Sequence, residues 1–580
     1  MRKLRPLFPY FRRCRRQLIL GMVCVVATAS LAMVSPILIG RAIDAMRADV
    51  SQRTLLLYGV TLLGVTAFQG LFRYSQRMIL VGASRHIEYD LRNDYFAHLE
   101  SLEGGFYQDH STGDLMARAT NDLEAVRMLC GPAIMYSTNT VVVGTAALVL
   151  MTTVHTGLTL VALCSLPLVA MATRFFGEKI HVLFGEVQGK FSDLSTKVQE
   201  NLAGARVVRA YAQESREREA FAGLSEGYID SYRKLVRWNA AFNPSLHALI
   251  GLGFAVVLAY GGWLMLGGTI TLGQWVTFHL FFGELVWPMV AIGWVINLFQ
   301  RGTASLARIQ EVLERPPKII DRQPVVQLPG IDGRLEVRDL SFAYDEGPEV
   351  LRGLDLDIEA GTTVAIVGRT GAGKSTLLSL IPRLVEPPAG TLRIDGVDVL
   401  HLPLQQLRGA IAMVPQESFL FSIPVHDNIA FGRPEASREE VLRAAELAGL
   451  GSDLEGFPHG LDTVVGERGV TLSGGQRQRV ALSRGLLRDP RILLLDDCLS
   501  AVDAHTEEEV MRNLRTVFPG RTVFFVTHRT SAARSADLIL VLEDGRIAER
   551  GNHHELLAHG GFYAELHHRQ QLEEELQLAI

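Results

Sequence analysis

The sequence predicts two bodies of different class. The first is an α-helical domain of six transmembrane spans with long cytoplasmic helical extensions. The second is an α/β domain of the P-loop type. Three observations carry this. The 580-residue chain is too long for one domain. Six long apolar segments fill its first half. In its second half, Gly368-Arg-Thr-Gly-Ala-Gly373-Lys374-Ser375-Thr376 fits G-x-x-x-x-G-K-[ST] without mismatch.

Composition narrows the class. A net charge of −5 and a pI near 6.4 give no sign of a nucleic-acid partner. Mean hydropathy of +0.18 is high for a soluble protein. The five cysteines (Cys14, Cys24, Cys130, Cys164 and Cys498) are scattered with no C-x-x-C pair, which suggests neither a zinc site nor a disulfide framework. No secretory cleavage site is evident, and the first apolar stretch is too long for a signal segment.

Residues 2–16 hold seven Arg or Lys and no acid, which sets the N-terminus in the cytoplasm by the positive-inside rule. The apolar segments lie at about 17–41, 54–80, 129–153, 155–177, 244–266 and 272–298. Each is near or above the ~20 residues that cross a bilayer as a helix. Gaps after the first, third and fifth segments are short. Those after the second and fourth, 81–128 and 178–243, are long, charged and poor in proline, and read as helices continuing into the cytoplasm. Six spans return the chain to the cytoplasmic side, where ATP is. A multi-pass protein of the cytoplasmic (inner) membrane follows, with the lipid bilayer as one partner.

Polar residues within spans are functional candidates because they are costly there. Glu284 sits near the middle of the sixth segment, with His279 before it and Trp287-Pro288 after. It reads either as the lining of a substrate cavity, favouring cationic or zwitterionic cargo, or as an interhelical hydrogen-bonding group. Arg73 and Arg77 read as snorkelling toward the inner interface. Asn139 lies in the third segment.

The domains read as 1–314 for the membrane part, 315–334 for a linker opened by Arg315-Pro316-Pro317, 335–566 for the α/β part, and 567–580 for an acidic helical tail. The tail reads as a solvated helix or one that pairs with a partner chain.

Within the α/β part, Thr363 to Val367 reads as a buried strand and Leu377 onward as a helix, the context that makes the glycine run a phosphate loop. Gly368, Thr370, Gly371 and Gly373 belong to a backbone able to curl N–H groups around an anion. Lys374 reaches the β- and γ-phosphates, Ser375 ligates Mg²⁺, and Thr376 opens the helix. Arg491 to Asp496-Asp497 is a strand ending in two carboxylates. Asp496 suits Mg²⁺, and Asp497 would stand beside an attacking water. Leu472-Ser473-Gly474-Gly475-Gln476 is a second anion-cradling segment. Gln416 and His528 each end an apolar strand, and Tyr344 can stack on a purine.

Together and in this order, these residues resemble the ATP-binding-cassette transporters, specifically exporter-type half-transporters, over nearly the whole chain. The resemblance implies that Gly368–Ser375 is Walker A, Gln416 the Q-loop (a Mg²⁺ ligand), Leu472–Gln476 the signature, Asp496 the end of Walker B, Ser500-Ala-Val-Asp503 the D-loop, His528 the switch histidine and Tyr344 the adenine-stacking residue. Gly113–Arg118 with Asn121-Asp122 looks like the first coupling region. Gln199–Arg209 looks like the second cytoplasmic extension, and Gly466-Glu467-Arg468-Gly469 like the X-loop. The family implies a dimer that sandwiches two ATP, each between one chain's Walker A and the other's signature.

One residue departs from the family pattern. The residue after the Walker B aspartate is normally glutamate; here it is Asp497. Losing one methylene withdraws the carboxylate from the water it orients, and misplacement on that scale can cost on the order of 100-fold. The expectation is a degenerate site in a heterodimer whose partner keeps the glutamate; the alternative is that a small backbone shift restores the reach. The functional expectation is ATP-driven export of an amphipathic small molecule, lipid or peptide. The alternatives are a mainly regulatory ATP-binding subunit that times a hydrolytic partner, or a homodimeric exporter. An importer on the same fold lacks supporting features, and a soluble ABC protein is excluded by the six spans.

Overall fold

The computed structural model describes residues 2–48, 52–345, 347–466, 469 and 471–578. The chain divides into two compact units. One comprises the chain up to Glu100 with Ser111–Arg315; the other comprises Ser101–His110 with Pro316–Ile580.

In the first unit, six helices are long and apolar enough to cross a membrane: α1 (Arg15–Arg47), α2 (Gln52–Ser101), α3 (Thr112–Val154), α4 (Thr156–Ala203), α5 (Glu214–Leu266) and α6 (Leu272–Leu313). Helix is the form these apolar runs adopt because hydrocarbon offers backbone N–H and C=O groups no other partner. All outrun their apolar stretches. At 53 residues α5 is about 80 Å long, against a hydrocarbon core of about 30 Å. No residue in the apolar window of α2 is buried, and Leu56, Leu57, Val60 and Leu63 are exposed, as suits a lipid-facing surface.

Two helices are less regular than the sequence suggests. α4 is broken by a turn at Cys164 and Ser165, inside the expected span 155–177. α3 carries two π-helical turns, Arg118–Asp122 and Leu129–Ala133. The second contains Pro132, whose missing N–H and ring would break an α-helical turn.

The core of this unit is apolar. Phe278, Phe281, Phe282 and Leu285 of α6 pack against Ala147 and Met151 of α3 and Val257 of α5. α1 and α6 cross at Gly40 and Gly273, so closely that a Cβ on Gly273 would stand 2.1 Å from the Gly40 carbonyl oxygen. Beyond the crossing, the Asp44 carboxylate accepts from the Gly273 N–H at 2.7 Å and caps α6.

The segment Gly113–Asp122, expected as the first coupling region, ties α3 to α6. Asp122 accepts from Ser305 at 2.8 Å and from Arg308 Nε at 2.8 Å, and Arg118 donates to the Arg308 carbonyl at 2.9 Å and pairs with Glu311 at 3.0 Å. The segment that belongs with the second unit lies just upstream. It is Ser101–His110, with the helix Gly104–Asp109 and Phe106 buried. The stretch Gln199–Arg209 ends α4 at Ala203, adds the short helix Ala205–Ala210, and turns into α5.

The second unit holds two sheets. One is antiparallel, with order β2-β1-β4-β5, from β1 (Leu335–Ala343), β2 (Glu349–Ile358), β4 (Leu392–Ile394) and β5 (Val397–Asp398). The other has order β10-β9-β3-β8-β7-β6, from β3 (Thr363–Gly368), β6 (Ile411–Val414), β7 (Ile492–Asp496), β8 (Thr522–Val526), β9 (Leu538–Glu543) and β10 (Arg546–Gly551). Strands β3, β7 and β8 are wholly buried. They run parallel, so their C-terminal ends lie along one edge. Alternate side chains of β3 feed two cores: Val364 and Ile366 one face, Ala365 and Val367 the other.

The tail is not a separate solvated helix. Its helix begins earlier than expected, at Phe562, and runs to Leu578. Its first half packs on the second unit, with Tyr563 fully buried.

Candidate nucleotide site

The parallel strands set the site's geometry. The phosphate loop leaves β3, and α7 (Lys374–Leu380) follows it. Gly371 and Gly373 take φ of +85° and +95°. At Gly373 a Cβ would meet a Leu351 methyl at 2.6 Å and the Val350 carbonyl at 3.1 Å, so only glycine fits without strain. Lys374 is buried, and its ammonium donates to the carbonyls of Gly368 and Arg369, each at 2.8 Å. Burial lowers its pKa, opposed by the charges of Asp497 and Asp496.

Asp496 ends β7, where burial raises its pKa against a hydrogen bond from Ser375 and the charge of Lys374. That bond brings a hydroxyl and a carboxylate oxygen together below the loop. Two hard oxygens fit Mg²⁺, which takes one or two protein ligands and completes its shell with phosphate and water. Among the described residues no group of three or more His, Cys, Asp or Glu gathers for a metal, so the site is not an all-protein cage. Thr376 accepts the Tyr344 hydroxyl at 3.2 Å, and the Tyr344 ring is part-exposed with Phe342 against its edge.

Asp497 follows in the left-handed region, φ +45°. Burial raises its pKa, with His528 opposing and Asp496 reinforcing. Gln416, after β6, turns its amide nitrogen toward the Asp497 carboxylate at 3.3 Å. His528, after β8, brings Nε2 to 3.9 Å from the same oxygen. Thus Gln416, Asp497 and His528 meet at one edge of the sheet, beside the phosphate loop. Gln416 points at Asp497 rather than at Asp496 or Ser375.

The signature lies among other neighbours. Ser473 caps α8 (Gly474–Leu487) in a capping box with Gln476. The Gln476 amide also donates to Asp453 at 2.9 Å, and Arg479 pairs with Asp453 at 2.8 Å. Gly474 and Gly475 stand against the 500–503 turn, leaving room for no more than a small side chain beside Ala501. The Gln478 amide bonds Ser500 and the Ala501 N–H. Of the X-loop residues, Glu467 and Arg468 lie outside the described residues.

Glu284 lies apart in the first unit. It is exposed on α6, with Arg73 the opposing charge that acts on it. His279 donates from Nδ1 to the Trp275 carbonyl and stacks on Phe254.

Several groups beside the site escaped the sequence reading. Glu507, on α9 (Ala504–Val517), pairs with Arg529 at 2.7 Å and shares with Asp497 and His528 a cavity of about 170 Å³. Gln570 bonds the residues around His528. Neither sits in a local pattern, so no signal in the sequence could have found them.

Fold and site together define a membrane-spanning transporter subunit with a P-loop ATP-binding domain. Comparison with known proteins agrees. The ABC transporter transmembrane region family matches residues 18–289, and the ABC transporter family matches residues 351–500. The chain belongs to the ABC transporters, with the transmembrane region ahead of the ATP-binding region, as in exporters. It is 38% identical over 556 residues, 95% of each chain, to the probable multidrug resistance ABC transporter ATP-binding/permease protein YheI of Bacillus subtilis. It is 37% identical to the multidrug resistance-like ATP-binding protein MdlA of Escherichia coli, covering 97% of this chain and 96% of that one. An ATP-dependent lipid A-core flippase of Syntrophus aciditrophicus is 34% identical, covering 95% and 91%. The structure of a bacterial Atm1-family ABC exporter with ATP bound superposes with a TM-score of 0.78 at 29% identity, over 96% of this chain and 98% of that one.

Proposed function

We propose that this chain is one half of a dimeric exporter that moves amphipathic small molecules, lipids or peptides out across the cytoplasmic membrane, and that its own hydrolytic site is weak. The observation that carries the export reading is one chain that joins six membrane-length helices to a phosphate loop flanked by Lys374, Ser375, Asp496 and Asp497. The names of the relatives, multidrug and lipid A-core, favour amphipathic cargo. The positive N-terminus and the even number of spans favour a cytoplasmic ATP-binding unit.

The roles proposed for the site residues are these. Lys374 binds the β- and γ-phosphates, Tyr344 stacks on adenine, and the loop backbone wraps the phosphate chain. Ser375 and Asp496 would hold Mg²⁺, with Gln416 reaching toward it when the site closes. Bound Mg²⁺ neutralises charge on the transferring phosphoryl group. Asp497 takes the general-base position, and His528 and Gln416 align it. Being one methylene short, Asp497 orients water poorly, which supports a partner chain that carries the stronger base.

Ser473–Gln476 serve the partner's nucleotide. The signature's neighbours here are Asp453 and the 500–503 turn, not the phosphate loop, which favours trans assembly. Helices α4 and α5 pair chiefly with each other, leaving Leu202, Val207, Tyr211 and Phe221 exposed, a surface that suits a second chain. Glu284 would contact cationic cargo.

Inverted membrane vesicles that contain the chain with its partner test this reading. They are expected to accumulate a fluorescent amphipathic cation with ATP. Lys374→Ala should abolish uptake, and Glu284→Gln should weaken it for cations alone. No ATP-dependent uptake of any amphipathic, lipid or peptide probe would refute export.

A further inference from the structure

The segment that carries His528 makes few contacts of its own kind. It leaves β8 after Val526 and must hold a ring near Asp497 without help from a strand or a long helix. Side chains from two other helices hold it. Glu507 of α9 takes the Arg529 guanidinium at 2.7 Å. Gln570 of the C-terminal helix α10 (Phe562–Leu578) takes the residues on either side of Arg529.

The Gln570 contacts are matched to an amide. Its Nε2 donates to the His528 carbonyl at 2.6 Å, while its Oε1 accepts from the Thr530 N–H at 2.8 Å and the Thr530 hydroxyl at 2.9 Å. Only one amide orientation satisfies all three. His567 Nδ1 stands 2.9 Å from the same Thr530 hydroxyl, which can donate to it or accept from it. The result is a connected set of bonds that joins His567, Thr530 and Gln570 to the His528 main chain. The same helix also meets the phosphate loop: the Arg369 guanidinium lies 5.6 Å from the Phe562 ring centre. The C-terminal helix thus touches both the loop that binds phosphate and the segment that faces Asp497.

We propose that Gln570 is a positioning residue for ATP hydrolysis. By bridging the His528 carbonyl and Thr530 from the C-terminal helix, it sets how the His528 ring meets Asp497. The inference rests on reading Asp497 and His528 as the pair that faces the attacking water. It makes turnover depend on how the tail helix is seated.

The test uses the full-length chain, purified in lipid nanodiscs without a partner half-transporter, so that the turnover read is that of its own Asp497 site. Gln570→Ala and Gln570→Glu are each made in the parent and in an Asp497→Glu background. Alanine removes every bond. Glutamate keeps an acceptor for Thr530 but has no hydrogen to give the His528 carbonyl. For both variants kcat should fall on the order of tenfold in each background. KM for ATP should stay within about twofold, since the bonds Gln570 makes go to His528 and Thr530 and not to the phosphate loop. The melting temperature should stay within about 1 °C.

Parental kcat in Gln570→Ala would overturn the proposal. So would parental kcat in Gln570→Glu alone, because the Thr530 bonds would then suffice. A KM and a melting temperature that move in step with kcat would reduce Gln570 to a structural role and overturn it too. Whether Asp497→Glu itself raises turnover is read separately, so failure of the weak-site reading is visible without affecting the comparison within each background.

Discussion

At Gly373 the whole nucleotide site depends on a missing Cβ. Its φ of +95° and the 2.6 Å approach of Leu351 leave an alanine both strained and overlapped. Gly373→Ala should cost about 1–3 kcal/mol of stability in the second unit and abolish detectable ATP binding, because the Lys374 N–H and ammonium follow directly. Calorimetric unfolding and nucleotide titration check both; normal ATP affinity would contradict the account. Single residues were also where the sequence was most legible. Lys374, Ser375, Asp496 and the Asp497 departure could all be read because the phosphate loop and the strand end are local patterns. Gln570, Glu507 and Asp453 could not, because each acts on a residue at least 22 positions away through a side-chain bond.

Among the elements, α3 and α6 are locked by the Asp122 network. Burial works against ionisation of Asp122, but hydrogen bonds from Arg308 and Ser305 and the charges of Arg308 and Arg118 outweigh it and hold its pKa below the ordinary value. The stabilisation from a depressed carboxylate is complete above the unfolded pKa, about 4, and is lost as pH falls through the folded one. Asp122→Asn should therefore destabilise the protein by about 1–2 kcal/mol at neutral pH, the figure being tempered by the half-exposed Arg308. The gap from the parent should close on acidification below about pH 4. Melting temperatures across pH measure this, and a gap that does not change with pH would count against the network. The motif here was legible as charged and helical, and its ties to α6 were not. Composition marks a polar segment, but only the fold shows that its acids face α6 and that Ser101–His110 joins the other unit. The antiparallel sheet of β1, β2, β4 and β5 was equally hidden behind a general α/β pattern, since short strands do not announce their partners.

For the whole molecule, six apolar runs and one nucleotide motif were enough to read the class, because membrane length and phosphate geometry are both strong physical constraints. What the assembly adds is the second chain. ABC exporters work as dimers, and the proposed function would put the stronger base on the partner and the weaker one, Asp497, on this chain. The most direct test is steady-state ATP turnover by this chain alone and with its partner half-transporter, each with Asp497 and with Asp497→Glu. The account predicts slow turnover alone, faster turnover for the pair, and at least a tenfold rise with Asp497→Glu alone, within the ~100-fold scale of a misplaced group. Brisk turnover by the chain alone, unchanged or lowered by Asp497→Glu, would contradict it and make Asp497 a competent base in a homodimer.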